Sequence, residues 1–333
     1  MNHVEQIKEQ LAYPRRIAIT MHQKPDGDAI GSSLGLYHFL VKLGHKVDVV
    51  APTDYPDFLK WMAGTDKVII GPEDKDRANW VFEGADIIFC LDFNALHRLA
   101  EFQGTVAESE ATKIMIDHHM DPHDFADFMY IDDQASSTAE LVYRLMTDLG
   151  EVDKLGLDMA ECLYTGIMTD TGSFRFTNTS PAVHKLVAHL LEVGTNNNKI
   201  YDAIFNNSHQ DRVRFTGYCI SQCLYVLPEY RTAYMKVDRE VFKQYNVKSG
   251  YTEGLVNYAL SIKDIDLGVL ITATEDLTKL SFRSRGEVSS AEYAQEFDGG
   301  GHFYAAGGKS KLPLEDVEQK FLDLLASKHK VEA

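Results

Sequence analysis

The segment RRIAITMHQKPDGDAIGSSLGL, residues 15–36, decides how the fold begins. Its first part is apolar and rich in β-branched residues, which predicts a strand ending near His22. After a turn that contains proline and glycine, apolar residues recur with helical spacing from Ala29 to about Lys42. The next apolar run, KVDVVAP, predicts a second strand. The sequence therefore opens with a βαβ unit, which favours a parallel sheet.

Acidic residues and histidines occur at the ends of several predicted strands. Asp26 and Asp28 follow the first strand and His22. The strands ADIIFCLDFN and ATKIMIDHHM supply four more such residues, and a buried helix ending in GIMTD supplies a fifth; these are Asp92, Asp117, His118, His119 and Asp170. Because ligands bind at the carboxyl ends of strands in open α/β sheets, we expect these side chains to converge. Carboxylates gathered in this way repel one another unless a cation lies among them.

The ligand types narrow the choice of metal. Carboxylate oxygens with some imidazole suit manganese, and also iron, cobalt or magnesium. The spacing of Asp26 and Asp28 allows one turn to offer an oxygen to each of two neighbouring ions. Two ions about 3.5–4 Å apart are typical of phosphoryl hydrolysis.

Two further helices are predicted before the chain enters a second domain. Ser137 and Glu140 form a capping box for a helix, and Ser180 with Pro181 begins another that ends at Gly194. We predict a catalytic domain over residues 1–194, a helical linker over 195–227 and a smaller α+β domain with a mixed sheet over 228–333. The first domain is expected to contain a mainly parallel sheet flanked by helices, with the active site in the cleft between the domains.

Composition limits the classes of partner. The chain has 333 residues, a formal net charge of −17 and 44% hydrophobic residues. Such acidity argues against a protein that coats long nucleic acid, because that binding needs many lysines and arginines. A small anionic substrate is compatible with it, if metal and a few arginines reverse the charge locally. The polar start MNHVEQIKEQ and the lack of an apolar run of about 20 residues predict a cytoplasmic protein with no membrane partner.

Six motifs together resemble those of the DHH phosphoesterase superfamily. HQKPDGDAIGSSLGL, CLDFN, IDHHM and GIMTDTGSFRF are similar to its four N-terminal motifs, in the same order. SFRSRG followed by GGGHFYAAGG resembles its C-terminal DHH-associated domain. The resemblance covers nearly the whole chain.

The resemblance implies a site with two manganese ions, for which magnesium or cobalt could substitute. One ion would be held by His22, Asp26 and Asp92, and the other by Asp28, Asp92, His118 and Asp170. Asp117 would orient a histidine, and His119 would act on the scissile phosphate or the leaving oxygen. The residues implied for binding the phosphate or sugar are Arg283, Ser284, Gly300, Gly301 and His302, with Arg285 as a further candidate because it alternates with Arg283 in a strand.

Within the superfamily, the chain is similar to the nano-RNase/pAp phosphatase subgroup. This similarity implies two-metal hydrolysis of very short oligoribonucleotides and dephosphorylation of adenosine 3′,5′-bisphosphate (pAp), and it suggests a homodimer. The main alternative is a phosphodiesterase for cyclic or linear di-AMP. A RecJ-like single-strand exonuclease, an inorganic pyrophosphatase and a nucleotide sensor without catalysis are further alternatives.

Overall fold

The structure is a computed structural model that describes residues 3–248 and 250–329. The chain divides into two compact units, Met1–Asn207 and Ser208–Ala333. The predicted domain boundaries at residues 194 and 228 remain predictions. Among the described residues, no helix combines the length and the apolar character that crossing a membrane requires.

The first unit is built on a six-stranded sheet in which every neighbouring pair is parallel. The strands are β1 (Arg16–Met21), β2 (Lys46–Ala51), β3 (Val68–Ile70), β4 (Ile87–Leu91), β5 (Thr112–Asp117) and β6 (Phe128–Ile131). Their order is β3-β2-β1-β4-β5-β6, so β1 lies centrally between β2 and β4. This arrangement confirms the predicted parallel sheet and adds two short edge strands, β3 and β6, that the sequence pattern did not predict.

Helices cover both faces of this sheet. They are α1 (Val4–Gln10), α2 (Gly27–Lys42), α3 (Lys75–Gly84), α4 (Gln103–Glu108), α5 (Thr138–Asp148), α6 (Leu157–Asp170), α7 (Pro181–Glu192) and α8 (Asn197–Phe205). Helices α2, α5, α6 and α7 pack in the larger core, and α3 and α4 pack on the opposite face. The predicted caps are confirmed, because the side chains of Ser137 and Ser180 accept hydrogen bonds from Glu140 N and Val183 N.

Helices α2 and α6 approach each other through glycine. Gly27, Gly31 and Gly35 are four residues apart and therefore lie along one stripe of α2. A Cβ atom on Gly31 would lie 2.6 Å from the carbonyl oxygen of Cys162, which is a backbone atom of α6. This close packing brings the end of α6, which carries Asp170, to the start of α2.

The second unit is built on a mixed six-stranded sheet of order β11-β12-β10-β9-β8-β7. Its strands are β7 (Leu224–Leu227), β8 (Thr232–Val237), β9 (Leu267–Ala273), β10 (Thr278–Ser284), β11 (Gly300–His302) and β12 (Ala305–Ser310), and its helices are α9 (Gln210–Gln222), α10 (Arg239–Gln244), α11 (Leu255–Leu260), α12 (Ser290–Gln295) and α13 (Leu314–His329). Only β8 and β9 pair in parallel within this sheet as described. The mixed sheet confirms the predicted α+β class. The glycine run, for which no element was predicted, forms the hairpin β11–β12. One feature differs from the sequence expectations: β7 lies at the end of the segment predicted to be helical.

Candidate active site

Six of the predicted side chains meet at the carboxyl edge of the parallel sheet. His22, Asp92 and His118 directly follow β1, β4 and β5. Asp26 caps α2 by accepting hydrogen bonds from Asp28 N and Ala29 N at 3.0 and 3.1 Å. The remaining two are Asp28, in the first turn of α2, and Asp170, the last residue of α6.

Asp92 lies at the centre of this cluster. Its Oδ2 is 3.3 Å from His22 Nε2, and its Oδ1 is 3.6 Å from His118 Nε2. The residue has a φ of 62°, a left-handed conformation that is unusual for a residue other than glycine. Such backbone strain occurs preferentially at functional sites, where surrounding structure fixes it. Here the Asp92 amide donates to Ile116 O at 3.1 Å, which fixes the end of β4 against β5.

The cluster contains three overlapping groups whose donor atoms lie within 4.8 Å of one another. The groups are His22, Asp26 and Asp92; Asp28, His118 and Asp170; and Asp92, His118 and His119. The first two groups correspond to the two predicted ligand sets. Asp92 lies against both sets, because its two carboxylate oxygens face His22 and His118.

The tautomers of the two histidines fit a metal centre. His22 Nδ1 lies 2.8 Å from Gln23 O, and His118 Nδ1 lies 3.3 Å from Ala135 O. A carbonyl oxygen only accepts, so each Nδ1 carries the hydrogen and a neutral ring points its Nε2 lone pair at the carboxylates. A lone pair facing an anionic oxygen is repulsive unless a cation or a proton lies between them. The donor set therefore fits divalent cations bound by imidazole and carboxylate.

Burial and mutual repulsion perturb the carboxyl groups. Burial, followed by the charges of Asp92 and Asp170, raises the pKa of Asp28 well above its usual value. Burial and the charges of Asp26 and Asp92 likewise raise the pKa of Asp170. For His22, burial acts to lower the pKa, but Asp26 and Asp92 outweigh it and raise the pKa well above the usual value. These carboxylates cannot all be ionised at low cost without a compensating cation.

A second pair of predicted residues lies beside the cluster. Asp117 is fully buried, and its Oδ1 accepts a hydrogen bond from His119 Nδ1 at 2.7 Å. The same His119 nitrogen is 3.7 Å from Asp92 Oδ1. Because Nδ1 is the donor to Asp117, the carboxylate fixes the orientation of the ring and leaves Nε2 on the opposite side.

One contributor to this site was not predicted from the sequence. The amides of Thr138 and Ala139 donate to the two carboxylate oxygens of Asp28 at 2.6 and 2.9 Å. These are the first residues of α5, so the positive end of the helix stabilises the Asp28 anion. The capping box that predicts this helix terminus was the available signal, but it does not reveal which carboxylate the terminus contacts.

In the second unit, Arg283 has the properties expected of a residue that binds an anion such as phosphate. Its side chain is half-buried in β10, and Nη1 donates to Phe282 O at 2.9 Å. Among the described residues, Arg283 forms no ion pair with a carboxylate within 4.0 Å. Burial lowers the pKa of the guanidinium, as expected for a cation that loses solvation and has no carboxylate partner.

The two neighbouring candidates contact the protein itself. Ser284 is buried; its amide donates to Tyr304 O at 3.0 Å, and its hydroxyl lies 3.3 Å from Phe303 O. The guanidinium of Arg285 donates to Leu260 O and, at 3.4 Å, to Ile262 O. Both contacts stabilise local structure: Ser284 fixes the turn after His302, and Arg285 caps the end of α11.

The glycine-rich hairpin presents the remaining candidates. Gly300, Gly301 and His302 form β11 and are exposed. A Cβ atom on Gly301 would lie 2.6 Å from Ala305 O, and Gly301 has a φ of 145°, so this position requires glycine. The hairpin therefore presents exposed backbone and the His302 side chain next to two exposed rings, Phe303 and Tyr304.

The comparisons with known proteins agree with this geometry. Residues 16–167 match the DHH family, N-terminal domain, and residues 230–330 match the DHHA1 domain. The bifunctional oligoribonuclease and PAP phosphatase NrnA of Thermus thermophilus is 31% identical over 309 residues, covering 92% of this chain and 88% of that protein. The protein of the same name from Bacillus subtilis is 26% identical, covering 92% and 93% of the two chains.

Solved structures share the fold. An exopolyphosphatase-related protein from Bacteroides fragilis superposes with a TM-score of 0.94 at 37% identity, covering 98% of this chain and 96% of that chain. RecJ from Thermus thermophilus in complex with Mn²⁺ has a TM-score of 0.53 at 13% identity and shares the fold alone, over 53% of its length. The two domain matches and the full-length similarity confirm the resemblance seen in the motifs. The chain therefore belongs to the DHH family and is a DHH-family phosphoesterase with a C-terminal DHHA1 domain.

Proposed function

We propose that this phosphoesterase degrades very short oligoribonucleotides and removes a phosphate from pAp, using divalent cations of which manganese is the best candidate. The observation that carries the proposal is the pair of ligand groups around Asp92, in a chain similar over about nine-tenths of its length to proteins named oligoribonuclease and PAP phosphatase. RecJ from Thermus thermophilus, which shares the fold, was solved in complex with Mn²⁺, and this supports manganese as the candidate metal.

Two cations would be held by the residues that the geometry brings together. His22, Asp26 and Asp92 would hold one, and Asp28, Asp92, His118 and Asp170 the other. When bound, such cations supply positive charge and Lewis-acid stabilisation to a phosphoryl group undergoing hydrolysis. Their ligands come from strand ends and helix ends, which are rigid elements that fix distances well.

Asp117 and His119 would act together in proton transfer to the leaving oxygen. Asp117 accepts from His119 Nδ1 at 2.7 Å and so holds the ring in one orientation. Burial acts to lower the pKa of His119, but Asp117 and Asp92 outweigh it and raise the pKa, which favours the doubly protonated ring. In that imidazolium form, Nε2 would donate a hydrogen bond or its proton to the leaving oxygen and return to a neutral ring. Asp117 is completely buried, so it acts through the histidine and does not contact the substrate.

In the DHHA1 domain, Arg283 would bind a phosphate of the nucleotide, since its guanidinium has lost water without gaining a carboxylate partner. Gly300, Gly301 and His302 would contact phosphate or sugar from the exposed hairpin. Ser284 and Arg285 would support this surface through the turn after His302 and the end of α11.

A substrate panel tests the proposal. The purified chain is assayed with Mn²⁺, Mg²⁺ or chelator on pAp, RNA of two to five nucleotides, RNA of twenty nucleotides, linear and cyclic di-AMP, and polyphosphate. We expect manganese-dependent turnover of pAp and the shortest RNAs. Polyphosphate is included because the Bacteroides fragilis neighbour is called exopolyphosphatase-related. Preference for polyphosphate or for cyclic di-AMP over pAp and short RNA would overturn the assignment.

Variants connect the activity to the site. Asp92→Asn keeps the side-chain volume and removes the shared anion, so turnover should fall below detection. Asp57→Asn is the matched control, because the Asp57 side chain is 89% exposed and its ion pair is with Lys60 at the surface. Manganese-dependent hydrolysis by Asp92→Asn at a rate near that of Asp57→Asn would contradict the two-metal proposal.

A further inference from the structure

The first residues of α5 contact both oxygens of one proposed ligand and one oxygen of another. The Thr138 and Ala139 amides bind Asp28, as described above, and the Thr138 hydroxyl donates to Asp92 Oδ1 at 3.0 Å. Three residues before Thr138, Ala135 O lies 3.3 Å from His118 Nδ1. One segment of five residues therefore touches three of the six proposed metal ligands.

The Thr138 hydroxyl is not needed to form the helix. Ser137 already caps α5 by accepting from Glu140 N at 3.1 Å, and Glu140 Oε2 accepts from Ser136 N at 2.7 Å. The Ser137 bond is the N-cap half of the predicted capping box, and the reciprocal Glu140 bond goes to the amide one residue before the N-cap. The hydroxyl of Thr138 instead points away from its own helix and bonds a carboxylate that lies 46 residues earlier in the chain.

The bond is suited to fixing the orientation of Asp92. Thr138 and Asp92 are both buried, and a β-branched side chain has few rotamers. A hydroxyl that occupies one lone pair of Oδ1 leaves the other directed towards the histidines, with His118 Nε2 at 3.6 Å. Without this bond, the carboxylate could rotate about its Cβ–Cγ bond, and both ligand groups that share Asp92 would lose alignment.

We infer that Thr138 is a positioning residue for the metal centre, which sets the rotation of the shared Asp92 carboxylate through its hydroxyl. The inference rests on the proposed function, because it takes Asp92 to be a ligand of both cations. Removing hydrogen-bond partners of metal ligands typically weakens metal binding about 10- to 100-fold. We therefore expect Thr138 to affect metal affinity more than folding.

The test compares three substitutions at this position by titrating the metal-free full chain with Mn²⁺, using calorimetry and the electron paramagnetic resonance signal of free Mn²⁺. Thr138→Val keeps the shape and removes the hydroxyl, Thr138→Ser keeps the hydroxyl, and Thr138→Ala differs from the serine variant by that oxygen alone. Thr147→Val is the control, since Thr147 is on the same helix and its hydroxyl bonds only Tyr143 O. Circular dichroism melts in chelator monitor folding.

We expect Thr138→Val and Thr138→Ala to weaken Mn²⁺ binding at least tenfold, while Thr138→Ser and Thr147→Val stay within about threefold of the wild type. Equal affinity of the serine and alanine variants would overturn the inference, whether both are tight or both are weak, and this comparison holds even if the valine variant does not fold. If the wild-type chain itself binds no divalent cation, the metal centre of the proposed function fails. That result is separate from a failure of Thr138 alone.

Discussion

Replacing Gly31 by alanine tests whether the contact between α2 and α6 assembles the site. The added Cβ would lie 2.6 Å from Cys162 O and 2.8 Å from Gly166 N, and both are backbone atoms that cannot rotate away. Ordinary van der Waals contact begins near 3.4 Å, so the helices must separate by about 0.8 Å. Overpacking of this kind costs about 1–3 kcal/mol, and the helix propensity gained by alanine returns up to about 1 kcal/mol. We expect a net loss of about 1–2 kcal/mol in the free energy of unfolding.

Alanine substitutions at two other glycines serve as references for this loss of stability. The nearest atoms to a Cβ on Gly35 belong to the side chain of Leu163, which can change rotamer, so Gly35→Ala should change stability by less than about 1 kcal/mol. Gly104 lies in α4 with nothing within 4 Å, so Gly104→Ala should stabilise the chain by about 0.5–1 kcal/mol. Both tryptophans of the chain, Trp61 and Trp80, belong to the first unit, so urea unfolding followed by tryptophan fluorescence reports on this unit.

The same substitution should weaken metal binding. Asp170 is carried by α6 and Asp28 by α2, and a separation of about 0.8 Å exceeds the tolerance of about 0.2 Å in metal–ligand distances. We therefore expect Gly31→Ala to lower the affinity for Mn²⁺, whereas Gly104→Ala leaves it unchanged. If Gly31→Ala proves as stable as Gly104→Ala and binds Mn²⁺ equally well, the close contact is not what assembles the site.

The remaining predictions concern pH and two arginines, Arg283 in β10 and Arg285 directly after it. In chelator, the free energy of unfolding should fall as the pH rises from 6 to 8. The reason is that folding raises the pKa values of Asp28, Asp170 and His22. A group of this kind stabilises the folded chain at a pH below its pKa in the unfolded chain, and this stabilisation is lost as the pH rises through its pKa in the folded chain. Saturating Mn²⁺ should reverse this pH dependence of stability, because the metal competes with protons for the same side chains. A free energy of unfolding that rises with pH in chelator would contradict the raised pKa values of these three groups. Arg285→Leu should destabilise the second unit by about 1 kcal/mol, because it removes the hydrogen bonds that cap the end of α11. Arg283→Leu should leave the stability unchanged or raise it, and it should weaken pAp binding at least tenfold. Hydrogen exchange of α11 and calorimetric titration with pAp separate the two, and the reverse assignment of effects would refute this division of roles.

The parts of the site that follow strands could be predicted from the sequence. His22, Asp92 and His118 come directly after apolar runs, and parallel strands place their carboxyl ends at one edge of the sheet. Asp170 was also expected to converge on this edge, but the strand rule does not fix its position, because it ends a helix and depends on how closely α6 packs on α2. The glycine spacing in α2 carried that information, since residues four apart share one face of a helix.

Other features depend on tertiary contacts that local patterns do not encode. Arg283 and Arg285 are equivalent by periodicity, but β10 ends at Ser284, so Arg285 lies just past the strand and reaches the carbonyl groups at the end of α11. The glycine run carries no strand signal, because glycine is depleted in strands. It nevertheless pairs as a hairpin, in which the two backbone segments come very close together. A Cβ on Gly299 would lie 2.0 Å from Gly307 O, so only glycine fits at this position.

The charges of the site also determine the order in which its ligands can bind. Asp26, Asp28, Asp92 and Asp170 surround the position proposed for the cations, within a chain of net charge −17. A phosphate group approaching the metal-free cluster would meet anions at close range, where repulsion is poorly screened. If two divalent cations occupy the site, their four positive charges balance these four carboxylates and the repulsion is removed. Cation binding must then favour nucleotide binding, and because linkage is reciprocal, the nucleotide must tighten the hold on the cations by the same factor.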